Sequence, residues 1–180
     1  MPSSHPLVAT VPVPPESRIA HAFLSTDYAD AYSVELPSGS STDPERLAQC
    51  IFERPSAVAR FLLKTRDMLV GVFGLKTATH LPADTEDGVR RIDIFRIYRI
   101  DPAEIVLGED DKHLDFRVSV HCSGSQAPGE KRRVTLSTVV HFHNRFGRLY
   151  FLLIAPFHRV LARSALRRAA RIGWPRASSA

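Results

Sequence analysis

Cysteine is scarce in this chain of 180 residues, which contains only Cys50 and Cys122. Two thiols cannot form a disulfide framework, so a disulfide-stapled secreted fold is excluded and a reducing compartment is expected. A long hydrophobic run is also missing, since the longest apolar stretch, Leu149–Phe157, covers nine residues. Such a stretch is too short to cross a bilayer, and the N-terminus lacks the basic and apolar regions of a signal peptide. We therefore expect a cytoplasmic protein.

Sequence motifs for common catalytic chemistry are missing as well. The chain contains no nucleophile elbow, no phosphate-binding P-loop and no dinucleotide-binding fingerprint. Its 44% hydrophobic and 24% charged residues are typical of a globular domain, and a chain of this length can bury a core without disulfides. We expect a proline-rich flexible arm over 1–20, a single domain over 21–172 and a disordered tail over 173–180.

Acidic residues are absent from residues 145–180, which contain eight arginines. The preceding 144 residues carry 16 basic and 19 acidic side chains, so a body of net charge −3 precedes a segment of +8. Lysine is rare throughout, with four lysines against 20 arginines. This bias is typical of a GC-rich bacterial genome rather than of an arginine-specific function.

Hydrophobic periodicity predicts an α+β fold that begins with a strand over 28–36 and ends with a long helix over 146–172. Two shorter helices are expected after the first strand, one beginning at Pro44 and one over 55–74. Pro156 predicts a kink in the long helix, because proline lacks the amide that the preceding turn needs.

Between the helices, alternation with a period of two predicts antiparallel strands that bury one face. These strands are expected at 89–100 with a bulge near Phe95, from 105 onward, at 113–122 and at 131–143. The apolar residues of the last two strands are expected to share the buried face, and their polar neighbours Asp115, Arg117, Ser119 and His121 to point the other way. A slip of one residue in register would reverse the two faces and place the polar side chains inside.

Several stretches of the chain resemble a bacterial family known only as a domain of unknown function, DUF2867. They are LGEDDKHLDFRVSV (107–120), TVVHFHNRFGRLYF (138–151), IAPFHRVLAR (154–163) and, upstream, RDMLVGVFGL (66–75). The order of elements is also similar to the helix-grip fold of the START-like, birch-pollen-allergen-like (SRPBCC) superfamily. The resemblance implies a curved antiparallel sheet wrapped around the C-terminal helix. It implies no activity, because the family has none assigned.

A helix-grip fold leaves a cavity between sheet and long helix where side chains do not fill it. We therefore expect a non-catalytic binding module for a hydrophobic small molecule or lipid. The expected lining residues are Phe116, Val118, Val120, Leu136, Val140, Phe142, Leu149, Leu153 and Phe157. The alternatives are a cavity enzyme (a cyclase, hydrolase or isomerase using His or Asp) and an interaction protein with a filled core. Titratable groups on the apolar side of the strands would favour the enzyme, and the pattern places almost none there.

Histidines form the strongest candidate for metal chemistry. His141 and His143 lie two residues apart on one strand, with His121 on a neighbouring strand, and such a pair can bind zinc or iron. No Asp or Glu stands at a ligand-like spacing beside the pair, so we expect no metal and no cofactor.

The basic C-terminal helix, followed by Trp174, is expected to be a solvated helix face. Weak contact with an anionic membrane surface is the alternative. Nucleic acid is the least favoured partner, because no aromatic residues interleave with the arginines.

Overall fold

A computed structural model of the chain describes residues 7–52, 89–124 and 131–177. Within these residues the fold is α+β and consists of a seven-stranded antiparallel sheet and a long C-terminal helix. The helix predicted over 55–74 lies outside the described residues.

The strands are β1 (Ala9–Val11), β2 (Tyr28–Glu35), β3 (Arg91–Ile92), β4 (Phe95–Asp101), β5 (Glu104–Asp110), β6 (Leu114–Ser123) and β7 (Arg133–Phe142). The helices are α1 (Pro44–Phe52) and α2 (Arg145–Ile172), and a short 3-10 helix spans Arg18–His21. The strand order across the sheet is β1-β2-β7-β6-β5-β4-β3, and every neighbouring pair is antiparallel. From β3 to β7 each strand lies beside its successor, as antiparallel hairpins allow.

The single strand predicted over 89–100 is in fact two strands. The chain turns between them at Asp93, whose φ of 53° lies in the left-handed region, and Ile92 pairs with Phe95. The predicted bulge occurs later, where the register shifts between Ile97 and Arg99. A tight turn and a bulge each interrupt the alternation of apolar and polar residues. The sequence pattern alone therefore cannot distinguish two such features from a single bulge.

Helix α2 has well-defined ends. The Asn144 side chain accepts a hydrogen bond from the Gly147 amide at 3.0 Å, which caps the first turn. Gly173, with a φ of 107°, ends the helix, and Pro156 lies inside it. A helix of 28 residues is about 42 Å long, so α2 is long enough to run along the whole length of the strands.

Both helices pack on one side of the sheet, the helix-covered face. Leu47 and Ile51 of α1 and Leu166 of α2 are completely buried there, in one cluster with Val120 of β6 and Val134 of β7. The main hydrophobic core therefore lies between the sheet and the two helices.

The N-terminal segment, residues 7–27, covers the opposite face of the sheet. Ile19 is completely buried against Val106 and Val139, and β1 extends the sheet beside β2. The proline-rich arm thus packs on the sheet over the residues that the structure describes. Prolines favour extended backbone, which suits an edge strand as well as a disordered segment.

The end of the chain is also bound to the domain. The Ser41 amide donates to the Pro175 carbonyl at 2.7 Å, and the Ala177 amide donates to the Gly39 carbonyl at 2.9 Å. Pro175 and Ala177 of the expected tail are thus hydrogen-bonded to the loop before α1.

Candidate functional site

The register of β6 and β7 places the apolar residues of both strands on the helix-covered face, as the alternation predicts. Phe116 lies opposite Val140, and Val120 lies opposite Leu136. All the sheet residues expected to line a cavity share this face, namely Phe116, Val118, Val120, Leu136, Val140 and Phe142.

The helix-covered face is tightly packed at one end and looser at the other. Four of these sheet residues are buried, namely Val118, Val120, Leu136 and Val140. Phe116 and Phe142 are only half-buried, although the alternation predicts nearly complete burial for Phe116. Packing by Leu166 and α1 thus fills one end of the face and leaves aromatic surface at the other.

The helix residues expected to face the sheet point away from it. Leu149, Leu153 and Phe157 are 59%, 56% and 44% exposed. The buried residues of α2 form a different stripe of mainly small side chains, namely Gly147, Ala155, Ala162, Leu166 and Ala169. At about 100° per residue the two stripes lie on nearly opposite sides of the helix. Small side chains let the helix approach the sheet closely. The less hydrophobic stripe of α2 therefore packs against the sheet.

Half-buried aromatic side chains lie on the helix-covered face beside α2. The ring of Phe95 is 5.3 Å from that of Phe52 and 6.0 Å from that of Phe116, measured between centroids. Ile97 packs against the same cluster, and all four side chains are partly exposed. We call these four residues the aromatic floor.

One flank of α2 faces α1, whose last residue, Phe52, belongs to the aromatic floor. Arg168 on this flank donates a hydrogen bond to the carbonyl oxygen of Ile51 in α1, which shows that the flank faces the α1 side. Leu161 and Ile154 precede Arg168 by seven and fourteen residues, so both lie on the same flank. Both are half-buried. We call the corner between this flank and the aromatic floor the groove.

A polar cluster lies where α2 crosses β2. Asp30 accepts hydrogen bonds from the hydroxyls of Tyr28 and Tyr32 at 2.6 and 3.1 Å, and its second oxygen lies 3.2 Å from His158 Nε2 of α2. The Asp30 side chain is only 10% exposed, and it stands on the helix-covered face opposite Thr138. We call Tyr28, Asp30, Tyr32 and His158 the Asp30 cluster.

The environment of the Asp30 cluster sets its protonation state. Burial alone would raise the pKa of Asp30, but hydrogen bonds from His158, Tyr28 and Tyr32 outweigh it and hold that pKa below its usual value. Burial, together with the bond to Asp30, raises the pKa of Tyr28 to about 12. At neutral pH Asp30 is therefore a carboxylate and Tyr28 a neutral hydroxyl donor. The guanidinium of Arg159 lies 5.8 Å from the centre of the Tyr28 ring and adds positive charge beside the carboxylate.

The histidine pair of β7 and its surroundings face the other way. His143 Nε2 lies 2.9 Å from Asp115, and His141 Nδ1 lies 3.3 Å from Asp27. The hydrogen bond to Asp115 raises the pKa of His143. In the described ranges, no group of three His, Cys, Asp or Glu side chains could hold a metal ion. The histidines thus act as partners of carboxylates.

Glu104, at the start of β5, is a carboxylate buried beneath the N-terminal segment, with 4% exposure. It accepts hydrogen bonds from the hydroxyls of Ser17 and Ser119 and from the Arg18 amide. His121 lies directly opposite Glu104 on β6 and is buried as well. These bonds fasten the N-terminal segment to the sheet.

Comparison with known families supplies the classification of the chain. The model of a family described as protein of unknown function, DUF2867, matches residues 22–165. The chain belongs to the DUF2867 family. No curated protein and no solved structure matches it. The matched range includes the Asp30 cluster and most of the groove, but not the serine and arginine of the N-terminal segment that bind Glu104.

Two polar residues of this DUF2867 protein are not predicted from the sequence, namely Asp30 and His158. Asp30 is an exception to the expectation that the apolar side of the strands carries almost no titratable group, because it stands on that side. The sequence does indicate where Asp30 points, because it alternates with Tyr28, Tyr32 and Val34, and residues two apart in a strand point to the same face. Whether His158 points toward the sheet depends on which side of α2 faces the sheet. The more hydrophobic stripe of α2 predicts the wrong side.

Proposed function

We propose that this DUF2867 protein binds an apolar small molecule in the groove. The observation that carries the proposal is the partial exposure of the aromatic floor, at Phe52, Phe95 and Phe116. It contrasts with the complete burial of Val120 and Leu166 at the packed end of the same face. A corner lined by aromatic and aliphatic side chains offers a ligand apolar surface to cover, which is the usual character of small-molecule sites.

The arrangement of elements supports a helix-grip interpretation of the fold. Along the chain β2 and α1 are followed by the antiparallel strands β3 to β7, and then by the long helix that packs on the sheet. This order is similar to that of START-like proteins, whose fold holds ligands between sheet and long helix. Similarity of fold does not by itself imply a shared function, so the proposal rests on the residues that line the groove.

We propose that His158 of the Asp30 cluster forms a polar end of the groove. His158 lies between Ile154 and Leu161 along α2, and its side chain is 24% exposed. We propose that a ligand on the aromatic floor extends to the His158 imidazole, which lies 3.2 Å from the Asp30 carboxylate. We propose a ligand with an apolar body and one polar oxygen that hydrogen-bonds to His158. In this proposal the groove is lined by the sheet residues and by the flank of α2 that carries Ile154 and Leu161. Leu149, Leu153 and Phe157 do not line it.

Titration with N-phenyl-1-naphthylamine, an uncharged probe that fluoresces in apolar surroundings, tests the proposal. Ile154→Trp fills the groove, whereas Leu152→Trp makes the same kind of change on the exposed side of α2. We expect the wild type and Leu152→Trp to bind the probe, and Ile154→Trp to bind at least about tenfold more weakly. Equal binding by all three proteins, with equal thermal stability, would exclude the groove as the site.

An enzyme that moves a proton on its bound ligand is the second candidate. The Asp30–His158 pair favours it, because a carboxylate that orients an imidazole is a common arrangement for a general base. A compound extracted from the freshly purified protein would be returned to it in deuterated water and followed by mass spectrometry. Deuterium uptake that His158→Gln abolishes supports the enzyme, whereas a ligand recovered without deuterium supports binding alone.

A further inference from the structure

The most hydrophobic side of α2 is its outward face, formed by Leu149, Leu152, Leu153, Phe157 and Val160. These side chains are between 44% and 69% exposed. None of them belongs to a hydrophobic cluster of the described residues. Contiguous exposed apolar surface of this kind is typical of a surface that meets a membrane or a partner.

The packing of α2 restricts how it can meet a membrane. Among the described residues it is the one helix with the length and apolar composition needed to cross a bilayer. Its other side, however, is buried against the sheet at Ala162 and Leu166. While the domain is folded, α2 can therefore contact a bilayer along its side but cannot cross it. From Leu149 to Val160 the apolar stretch is about 16 Å long.

Arginines stand at both ends of the outward face. Arg145 precedes it by one turn, and Arg167 and Arg171 follow it on the same side of the helix, all three exposed. No acidic residue occurs in residues 145–180. Anionic phospholipids complement both features, because acyl chains receive the apolar side chains and phosphates receive the guanidinium groups. Pairing of two copies through this face would instead bring like charges together.

We propose that the outward face of α2 docks on the surface of an anionic phospholipid bilayer, with the helix axis parallel to the membrane plane. Leu149, Leu153 and Phe157 enter the boundary between headgroups and acyl chains, and Arg167 and Arg171 bind the headgroups. The inference rests on the exposure and charge of α2 and is independent of the proposed ligand.

Flotation of the full chain with vesicles tests this docking. One set of vesicles contains phosphatidylcholine alone, and the other contains phosphatidylcholine with phosphatidylglycerol. The double variant Leu153→Glu/Phe157→Glu changes the outward face, and Leu24→Glu, at a fully exposed leucine before β2, is the matched control. We expect wild type and control to float with the anionic vesicles. The double variant should partition at least about tenfold more weakly, because two large side chains no longer enter the bilayer.

A charge variant separates lipid recognition from general hydrophobic adhesion. Arg167→Glu/Arg171→Glu should lose binding to the anionic vesicles, and added salt should weaken the wild type in the same way. Binding to phosphatidylcholine as strong as to the anionic mixture would overturn the proposal, as would equal flotation of Leu153→Glu/Phe157→Glu and wild type. A dimer in sedimentation velocity that Phe157→Glu dissociates would also overturn it, by showing that this face joins two copies. Circular dichroism melting curves check that each variant is folded.

Discussion

Replacing Glu104 by alanine should loosen the N-terminal segment from the sheet. The carboxylate accepts hydrogen bonds from Ser17, Ser119 and the Arg18 amide, so the variant leaves two hydroxyls and one amide without their acceptor. Hydrogen bonds to charged groups contribute about 1.5–3 kcal/mol each. Relief from burying the charge offsets part of this sum, and we expect a net loss of about 3 kcal/mol in the free energy of unfolding.

Urea denaturation followed by circular dichroism measures that loss, with Glu35→Ala as the control. The Glu35 side chain is 50% exposed and pairs with Lys131, so its removal should cost less than about 1 kcal/mol. Limited proteolysis adds a local measurement, because cleavage within residues 7–20 should become faster in Glu104→Ala and not in the control. A loss below about 1 kcal/mol with unchanged cleavage would refute the reasoning, since the carboxylate would then not be what holds the segment.

Three further changes test the packing of α2 and the charge of Asp30. In Gly147→Ala the new Cβ would clash with the His113 carbonyl oxygen, so the first turn of α2 must shift and the Tm in calorimetry should fall. An unchanged Tm would contradict this close approach. Leu166→Ala, at a completely buried site, should cost about 2–5 kcal/mol in urea denaturation, and a loss near zero would mean that α2 is not packed as described. Because the pKa of Asp30 is lowered by folding, its stabilising effect is complete above the unfolded-state pKa of about 4 and is lost as the pH falls through the folded-state pKa. Stability measured against pH should therefore fall less steeply in acid for Asp30→Asn than for the wild type, and parallel curves would contradict the lowered pKa.

Alternation along the strands is the part of the sequence that predicts this structure best. In a strand the side chains alternate strictly between two faces, so the run from Leu114 to Cys122 assigns every residue to its side. The register with β7 confirms that assignment. Alternation does not say what covers each face, and the side carrying Ser119 and His121 is buried under the N-terminal segment instead of facing water. That covering depends on contacts between residues far apart in the chain, such as Ser17 with Glu104.

Helix α2 shows why hydrophobicity predicts the wrong side of the helix to face the sheet. Its pattern contains two apolar stripes, and hydrophobicity selects the one with Leu149, Leu153 and Phe157. Packing selects the other stripe, because a helix close to a sheet has room for alanine at positions such as Ala155 and Ala162 but not for larger side chains. The size of a side chain, weighed together with its hydrophobicity, is therefore the signal that would have identified the buried side.

The geometry of α2 also relates the two proposals to each other. Ile154, on the flank that borders the groove, follows Leu153 of the outward face by about 100° around the helix axis. A bilayer in contact with the outward face would therefore lie beside the groove and not on the far side of the domain. An apolar ligand partitions into the acyl chains far more readily than into water. Docking through Leu153 and Phe157 would thus bring the groove next to the phase in which such a ligand is most concentrated, while His158 and Asp30 remain on the side of α2 that faces the sheet.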